Sequence, residues 1–366
     1  MPRDKAYLVI LRTGLKPRNF LEESFGEIKE LTLSAGGVIV GSSLSNLHSP
    51  SPSHFLREGK LQEVREKASQ DKADLLIFNV DLTPVQARNI EAFCGIRPVD
   101  RTGLILDIFA RRAKSREGRM QVELAQMNYL MPRLVGQGVL LSRLGGGIGT
   151  RGPGEQKLEV DRRKIRDRIQ HIKKDLEKLR THRELLRSGR KRKNLIQVTL
   201  VGYTNSGKST LLNALTGSQA YAADQLFATL DPKTRMQNIN GKNNTLFTDT
   251  VGFLKDLPHA LVEAFHTTLE EVSEADCLIH VLDISNPRAA EQKKIVEEVL
   301  REIQADKKPR VLALNKADLL TNEECAKLQE IFSEGILISA KEKSGLNGLL
   351  AKLESHVPVE IPRRPE

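Results

Sequence analysis

The first hundred residues alternate between short apolar runs and stretches in which apolar residues recur at helical spacing. Strands are predicted for the apolar runs at 6–11, 37–40, 75–78 and 102–106. Helices are predicted for 20–31, 60–70 and 84–93. Strands that alternate with helices are typical of a parallel sheet, so we predict a small parallel α/β domain over residues 1–110. It shows no catalytic constellation, which favours a docking or regulatory role.

Apolar residues spaced by three, four and seven positions follow, and they predict two long helices. The longer seam consists of Leu158, Ile165, Ile169, Ile172, Leu176, Leu179 and Leu186. The shorter seam consists of Met120, Leu124, Met127, Met131 and Leu134. Because such spacing is typical of coiled coils, we predict an antiparallel helical hairpin over 111–194. The glycine-rich segment 136–155 would form its tip.

The last part of the chain, 195–366, returns to alternating strands and helices. An apolar, β-branched run at 196–201 precedes a glycine-rich loop and a helical pattern. Further on, Asn240 and Gly241 separate two strand-like runs, which predicts a hairpin. The pattern predicts that the third domain is again α/β, so the fold class is α/β multidomain.

The glycine-rich loop fits G-x-x-x-x-G-K-[ST], a motif that wraps nucleotide phosphates. It consists of Gly202, Tyr203, Thr204, Asn205, Ser206, Gly207, Lys208 and Ser209. Its backbone N–H groups and the following helix N-terminus attract phosphate. We expect Lys208 to reach the β- and γ-phosphates and the Ser209 hydroxyl to ligate Mg²⁺. The motif lies between a predicted strand and a predicted helix, as it requires.

Two later segments predict that the base is guanine. The N-K-x-D pattern consists of Asn315, Lys316, Ala317 and Asp318. A carboxylate at Asp318 would accept the N1–H and N2–H₂ donors of guanine, whereas adenine would leave it unpaired at a cost of several kcal/mol. The second segment, whose backbone N–H would meet guanine O6, consists of Ser339, Ala340 and Lys341.

The remaining nucleotide motif has the form D-x-x-G and consists of Asp249, Thr250, Val251 and Gly252. We expect Asp249 to hold Mg²⁺ through water and the Gly252 N–H to contact the γ-phosphate. Spacing leaves two candidates for the switch threonine, Thr229 and Thr234. Phe253 stands where Ras-type enzymes carry the glutamine that orients water. Slow hydrolysis that needs a partner is therefore expected, and the catalytic group stays unassigned.

Positive charge is confined to one part of the chain. The net charge of the chain is +10, and residues 151–194 hold seventeen Lys or Arg against seven Asp or Glu, which accounts for the whole excess. Localised positive charge is typical of a nucleic-acid partner. Aromatic residues make up only 4% of the chain, which favours phosphate contacts over base stacking. The candidate RNA contacts are Arg143, Arg151, Lys157, Arg162 and Arg163.

Other sequence features indicate a cytoplasmic protein. Cys94, Cys277 and Cys325 are widely separated and odd in number, which argues against a disulfide framework. No apolar run approaches the roughly 18 residues of a membrane span, and the N-terminus lacks a secretory signal. The sequence gives no sign of peripheral membrane association.

Together, the motifs resemble those of the HflX-like GTPases of the Obg–HflX group. The nucleotide motifs carry part of the resemblance, and the hairpin signature at 149–155, 157–159 and 161–163 carries the more diagnostic part. A further matching motif consists of Phe227, Ala228, Thr229, Leu230 and Asp231. The resemblance implies that Thr229 is the switch threonine and a Mg²⁺ ligand. It also implies that an apolar residue at Phe253 is a family trait.

The resemblance further implies a function. GTP, GDP and Mg²⁺ would be the cofactors, and the large (50S) ribosomal subunit would be the partner. The hairpin would contact rRNA near the peptidyl-transferase centre, and the GTP form would dissociate stalled 70S ribosomes, with hydrolysis stimulated by the ribosome. A monomer without a DNA partner is expected. The alternatives are a large-subunit assembly GTPase and a nucleotide-gated RNA-binding module.

Overall fold

The computed structural model describes residues 4–14, 20–134, 153–192, 195–217, 226–239, 243–255 and 269–356. These residues divide into two compact units. The first unit contains the described residues of 4–111 and 119–177, and the second contains those of 112–118, 178–255 and 269–356. Within these ranges, no helix is long and apolar enough to cross a membrane. The domain boundaries given above stay a prediction.

The first unit is built on a parallel sheet of four strands in the order β2-β1-β3-β4. The strands are β1 Lys5–Thr13, β2 Val38–Leu47, β3 Leu75–Phe78 and β4 Arg97–Val99. The helices are α1 Phe20–Ser34, α2 Glu58–Gln70, α3 Pro84–Cys94 and α4 Arg101–Arg112. Leu8, Val9 and Ile10 of β1 are fully buried, because this strand has neighbours on both sides and helices pack on the sheet. The predicted parallel α/β architecture is confirmed.

One predicted element of this unit is wrong. Residues 102–106 lie in α4, and the last strand of the sheet is the short β4 that precedes it. Residues 101–106 are all buried, so this first half of the helix shows no alternation of apolar and polar positions that would distinguish it from a buried strand. The residue before the helix could have indicated its start. Asp100 accepts a hydrogen bond from the Gly103 N–H at 2.8 Å and is the N-cap of the helix.

Two long helices form the middle of the chain, and they are divided between the two units. They are α5 Arg116–Leu130, which continues as a 3₁₀ turn Met131–Leu134, and α6 Pro153–Arg192. The 40 residues of α6 correspond to a length of about 60 Å. Ile172 of the predicted seam is buried. Within the first unit, the Arg168 guanidinium donates to both carboxylate oxygens of Glu123 at 2.8 and 3.0 Å, which joins α6 to α5.

The second unit contains a six-stranded sheet in the order β10-β9-β8-β5-β7-β6. The strands are β5 Ile196–Val201, β6 Lys233–Ile239, β7 Asn243–Asp249, β8 Cys277–Asp283, β9 Arg310–Asn315 and β10 Ile336–Leu337. The helices are α7 Lys208–Thr216, α8 Ala289–Glu302, α9 Asn322–Ile331 and α10 Leu346–His356. The sheet is parallel except for the antiparallel pair β6–β7, which forms the predicted hairpin. Every residue of β5 and β8 is buried. Because the two strands are parallel, the polar loops that follow them meet at the same edge of the sheet.

Candidate nucleotide-binding site

The phosphate-loop motif joins the end of β5 to the start of α7. Gly207, the residue before α7, has φ of 94°, and a Cβ added there would overlap the side-chain amide of Asn315. Only glycine meets both demands without strain. The loop is also held by Phe253, whose backbone N–H donates to the Gly202 carbonyl at 3.0 Å and whose carbonyl accepts from the Thr204 N–H at 2.8 Å.

Lys208 lies inside this loop with its ammonium group turned to backbone oxygens. Its Nζ donates to the carbonyls of Gly202 and Tyr203 at 3.2 and 2.8 Å. Burial lowers the pKa of Lys208 to about 8, although the nearby Asp249 carboxylate opposes the shift. An anion in the loop would favour the charged form of this lysine, as a phosphate does.

Three side-chain oxygens meet beside the loop. The Ser209 Oγ donates to the Asp249 Oδ2 at 2.6 Å and lies 2.8 Å from the Thr229 Oγ1. Burial raises the pKa of Asp249, and its Oδ1 is buried without a hydrogen-bond partner among the described residues. A buried carboxylate with a free oxygen beside two hydroxyls is a ligand set that suits a hard divalent cation.

The two predicted base-recognition segments lie against each other and against the phosphate loop. The Asn315 side-chain amide donates to the Ser206 carbonyl at 2.8 Å and accepts from the Ala340 N–H at 3.0 Å. The Ser339 Oγ donates to the Asp318 Oδ1 at 2.6 Å. One side chain thus holds the phosphate loop and the last motif together, while a serine orients the carboxylate of Asp318.

A cavity of about 410 Å³ lies between these segments. The predicted residues that line it are Thr204, Asn205, Gly207, Lys208, Ser209, Phe227, Ala228, Thr229, Thr250, Gly252, Asn315, Lys316, Asp318, Ala340 and Lys341. The predicted residues outside the lining are Gly202, Tyr203, Ser206, Leu230, Asp231, Asp249, Val251, Ala317 and Ser339. Sequence reasoning missed Thr210 and Leu319, which also line the cavity; each directly follows a motif.

The two candidate switch threonines occupy different places. Thr229 lies at the cavity and beside Ser209. Thr234 lies in the hairpin, where its Oγ1 is 3.0 Å from the Thr248 Oγ1, and it is absent from the residues that line the cavity within the described ranges. The arrangement supports Thr229.

Phe253 faces away from the cavity. Its side chain is 2% exposed and packs in an apolar cluster with Val201, Val272 and Leu278. A side chain held in this core cannot orient a water molecule at the cavity, so its backbone bonds to the phosphate loop are its contribution to the site.

Two of the five candidate RNA contacts can be described fully. Arg163 is exposed on α6, and Arg162 beside it is half-buried. Lys157 lies in the first turns of α6 with its side chain outside the described part. Arg143 and Arg151 lie outside the described residues.

Three family models match consecutive parts of the chain. Their descriptions are GTP-binding GTPase N-terminal over residues 22–110, GTP-binding GTPase Middle Region over 112–190, and 50S ribosome-binding GTPase over 197–316. The GTPase HflX of Caldanaerobacter subterraneus is 49% identical over 97% of this chain and 81% of its own length. This chain belongs to the HflX family of GTPases. The GTPase HflX of Escherichia coli is 42% identical over 93% of this chain and 80% of its own length.

Two solved structures of GDP complexes are similar to this chain over most of its length. The complex of SsGBP with GDP is 28% identical, with a TM-score of 0.54, over 96% of this chain and 98% of that chain. A GTP-binding protein of Sulfolobus solfataricus in complex with GDP is 27% identical, with a TM-score of 0.50 and the same coverage. This HflX-family chain therefore binds guanine nucleotide and hydrolyses GTP.

Proposed function

We propose that this HflX-family GTPase binds the large ribosomal subunit in its GTP form and dissociates stalled 70S ribosomes. Its GTPase segment matches a family described as 50S ribosome-binding. The observation that carries the proposal is the row of exposed basic side chains along α6, which includes Arg163, Lys164, Arg166, Lys173, Lys174 and Lys178. Such a surface suits the phosphates of structured RNA. The proposal implies a cytoplasmic monomer with no DNA partner.

We further propose that the oxygens beside the phosphate loop hold Mg²⁺. Ser209 and Thr229 would ligate it through their hydroxyls, and Asp249 would hold it through water. The bound ion would neutralise charge that develops on the phosphates. Lys208 would neutralise the β- and γ-phosphates, and Asp318 would select the base.

Hydrolysis is proposed to be slow in the isolated protein. The attacking water needs a group that orients it, and Phe253 is buried in an apolar cluster. We infer that the ribosome completes the site, either by ordering a segment of this chain or by supplying a group of its own.

The deciding experiment is GTP turnover with and without purified large subunits, at about 50 and 200 mM salt. We expect stimulation of at least tenfold at low salt and a marked loss at high salt, because each phosphate contact releases counterions. Stimulation by precursor particles alone would favour the assembly alternative. Tight binding to free RNA that ribosomal particles do not compete for would favour the RNA-binding alternative.

A charge-reversal variant tests the surface itself. In Arg163→Glu with Lys164→Glu, both replaced side chains are exposed, so the fold and GDP binding should be unchanged while cosedimentation with large subunits is lost. Lys327→Glu, an exposed reversal on α9 of the GTPase unit, is the matched control and should cosediment normally. Normal cosedimentation of the double variant would contradict the proposal.

A further inference from the structure

Asp231 belongs to the motif that contains Thr229, yet its carboxylate binds a different part of the chain. The Asp231 Oδ2 accepts hydrogen bonds from the backbone N–H groups of Lys114 and Ser115, both at 2.8 Å. The Ser115 hydroxyl donates to the Asp231 Oδ1 at 2.5 Å. All three residues lie in the second compact unit, and Lys114 and Ser115 directly precede α5.

Residues at the start of α5 also favour the contact with Asp231. The Ser115 Oγ also accepts from the Gly118 N–H at 2.8 Å, so Ser115 is the N-cap of α5. A Cβ added to Gly118 would overlap the Asp231 Oδ1, so a glycine at this position allows the carboxylate to approach. A carboxylate that accepts several N–H bonds at a helix N-terminus is favoured both by charge-assisted hydrogen bonding and by the helix dipole.

Ion pairs hold the start of α5 in place within the second unit. Glu117, in its first turn, forms an ion pair with Arg183 of α6 at 3.0 Å. Arg183 also pairs with Glu270 at 3.0 Å, and all three side chains are 17% exposed. An ion-pair network of partly buried side chains holds a helix end better than one exposed pair does.

Thr229 and Asp231 are too close in sequence to move independently. Leu230 alone separates them, and it is buried. Pro232 follows, and a residue before proline is restricted to extended backbone. The hydrogen bonds of Asp231 therefore restrain the backbone within two residues of Thr229, whose hydroxyl lies 2.8 Å from the Ser209 Oγ.

We propose that Asp231 is a positioning residue for GTP hydrolysis: it fastens the segment that carries Thr229 to the N-terminus of α5. The bond network fixes Thr229 at the γ-phosphate end of the site without touching the nucleotide. The proposal rests on the GTPase reaction and is independent of the ribosomal partner.

The test compares Asp231→Ala with the full-length parent in single-turnover GTP hydrolysis and in affinity for GDP and for a non-hydrolysable GTP analogue. We expect hydrolysis to slow at least tenfold and analogue affinity to fall severalfold, while GDP affinity changes less than twofold. A general loss of structure would lower both affinities together. Asp231→Asn, which keeps a carbonyl acceptor for the two N–H groups, should recover part of the rate.

Gly118→Ala should disrupt the same contact by placing a methyl group where the Asp231 carboxylate lies. Alanine normally favours a helix over glycine, so a slower hydrolysis in this variant would arise from the blocked Asp231 contact. The double variant should be no slower than Asp231→Ala alone, because both changes remove one interaction. Arg116→Ala, an exposed change in the same turn, is the control and should hydrolyse GTP at the parent rate.

Three results would overturn the proposal. They are a parent rate in Asp231→Ala, equal losses of GDP and analogue affinity, or additive effects in the double variant. Should Asp231→Ala fail to fold, Gly118→Ala and Ser115→Ala decide the matter by the same measurements.

Discussion

At the scale of single residues, two side chains in or beside the nucleotide motifs contact other parts of the protein and not the cavity. Phe253 directly follows a nucleotide motif but packs in the core. Asp231 belongs to another but binds the backbone just before α5. A motif fixes the order of residue types along the chain, whereas the direction of each side chain depends on distant residues such as Ser115. This is why cavity residues within the motifs are predictable and these two contacts are not.

Restoring the Ras-type residue should not restore fast hydrolysis. Phe253→Gln would place an amide in the cluster formed by Val201, Val272 and Leu278, at a cost of about 2 kcal/mol or more in unfolding free energy. We expect unchanged or lower GTP turnover and a lower urea midpoint. Phe253→Leu, which stays apolar, should lose less stability. A clear rise in turnover in the glutamine variant would show that the side chain can reach the nucleotide.

His280 should make the second unit sensitive to acid. It is 2% exposed in β8, and burial, reinforced by the positive charges of Arg310, Lys293 and Lys208, lowers its pKa to about 3. Since the unfolded chain takes up this proton near pH 6.5 and the folded chain does not, stability falls as the pH drops below about 6.5 and continues to fall towards pH 3.

The loss attributable to His280 is about 2 kcal/mol between pH 7.5 and pH 5. Urea unfolding at the two pH values should show this loss in the parent and in His48→Gln, an exposed control. In His280→Leu the loss should be smaller by that amount. Equal pH dependence of the parent and His280→Leu would contradict the prediction.

At the scale of elements, the helical periodicities were the most informative pattern. Both middle helices and the pairing of β6 with β7 follow from spacing and from one Asn-Gly pair. The segment 102–106 was assigned wrongly because a run buried on all sides has no period to read. The buried runs 6–11 and 196–201 are strands as predicted, so a short buried run alone does not distinguish a strand from part of a helix.

The seam of the helical pair gives a test at this scale. Ile172 is 1% exposed, so Ile172→Ala should lower the unfolding free energy by about 2 to 5 kcal/mol. Lys174→Ala, on the exposed face of α6, should change it by about 0.5 kcal/mol or less. Urea unfolding followed by circular dichroism measures both. Equal effects of the two changes would mean that the seam is not packed.

At the scale of the whole molecule, the excess positive charge and the apolar cores lie in different parts of the chain. The two units have distinct apolar clusters, one around Val9 and Phe78 and another around Val198 and Ile279, whereas the excess positive charge lies in residues 151–194. The fold class and the family could be predicted from the sequence because each depends on continuous segments. The nucleotide motifs lie within 202–341, and the excess positive charge lies within 151–194. The division of the two middle helices between the units depends on contacts and was not visible in the sequence.

Nucleotide should stabilise the two units unequally. Within the described ranges, the residues that line the cavity all belong to the second unit. GDP at about 100 times its Kd should therefore add roughly 2.7 kcal/mol to the stability of that unit. Hydrogen exchange measured by mass spectrometry should slow in peptides from β5 and remain unchanged in peptides from β1. Equal slowing in both would show that the units unfold as one.

The two bonds made by Asn315 have a consequence for how this GTPase can be tuned. Because one side chain connects the Ser206 carbonyl to the Ala340 N–H, we expect a substitution at Asn315 to release the phosphate loop and the segment 339–341 together. The two segments therefore cannot be loosened one at a time through this position. A change at the neighbouring Lys341 side chain, by contrast, leaves that link intact.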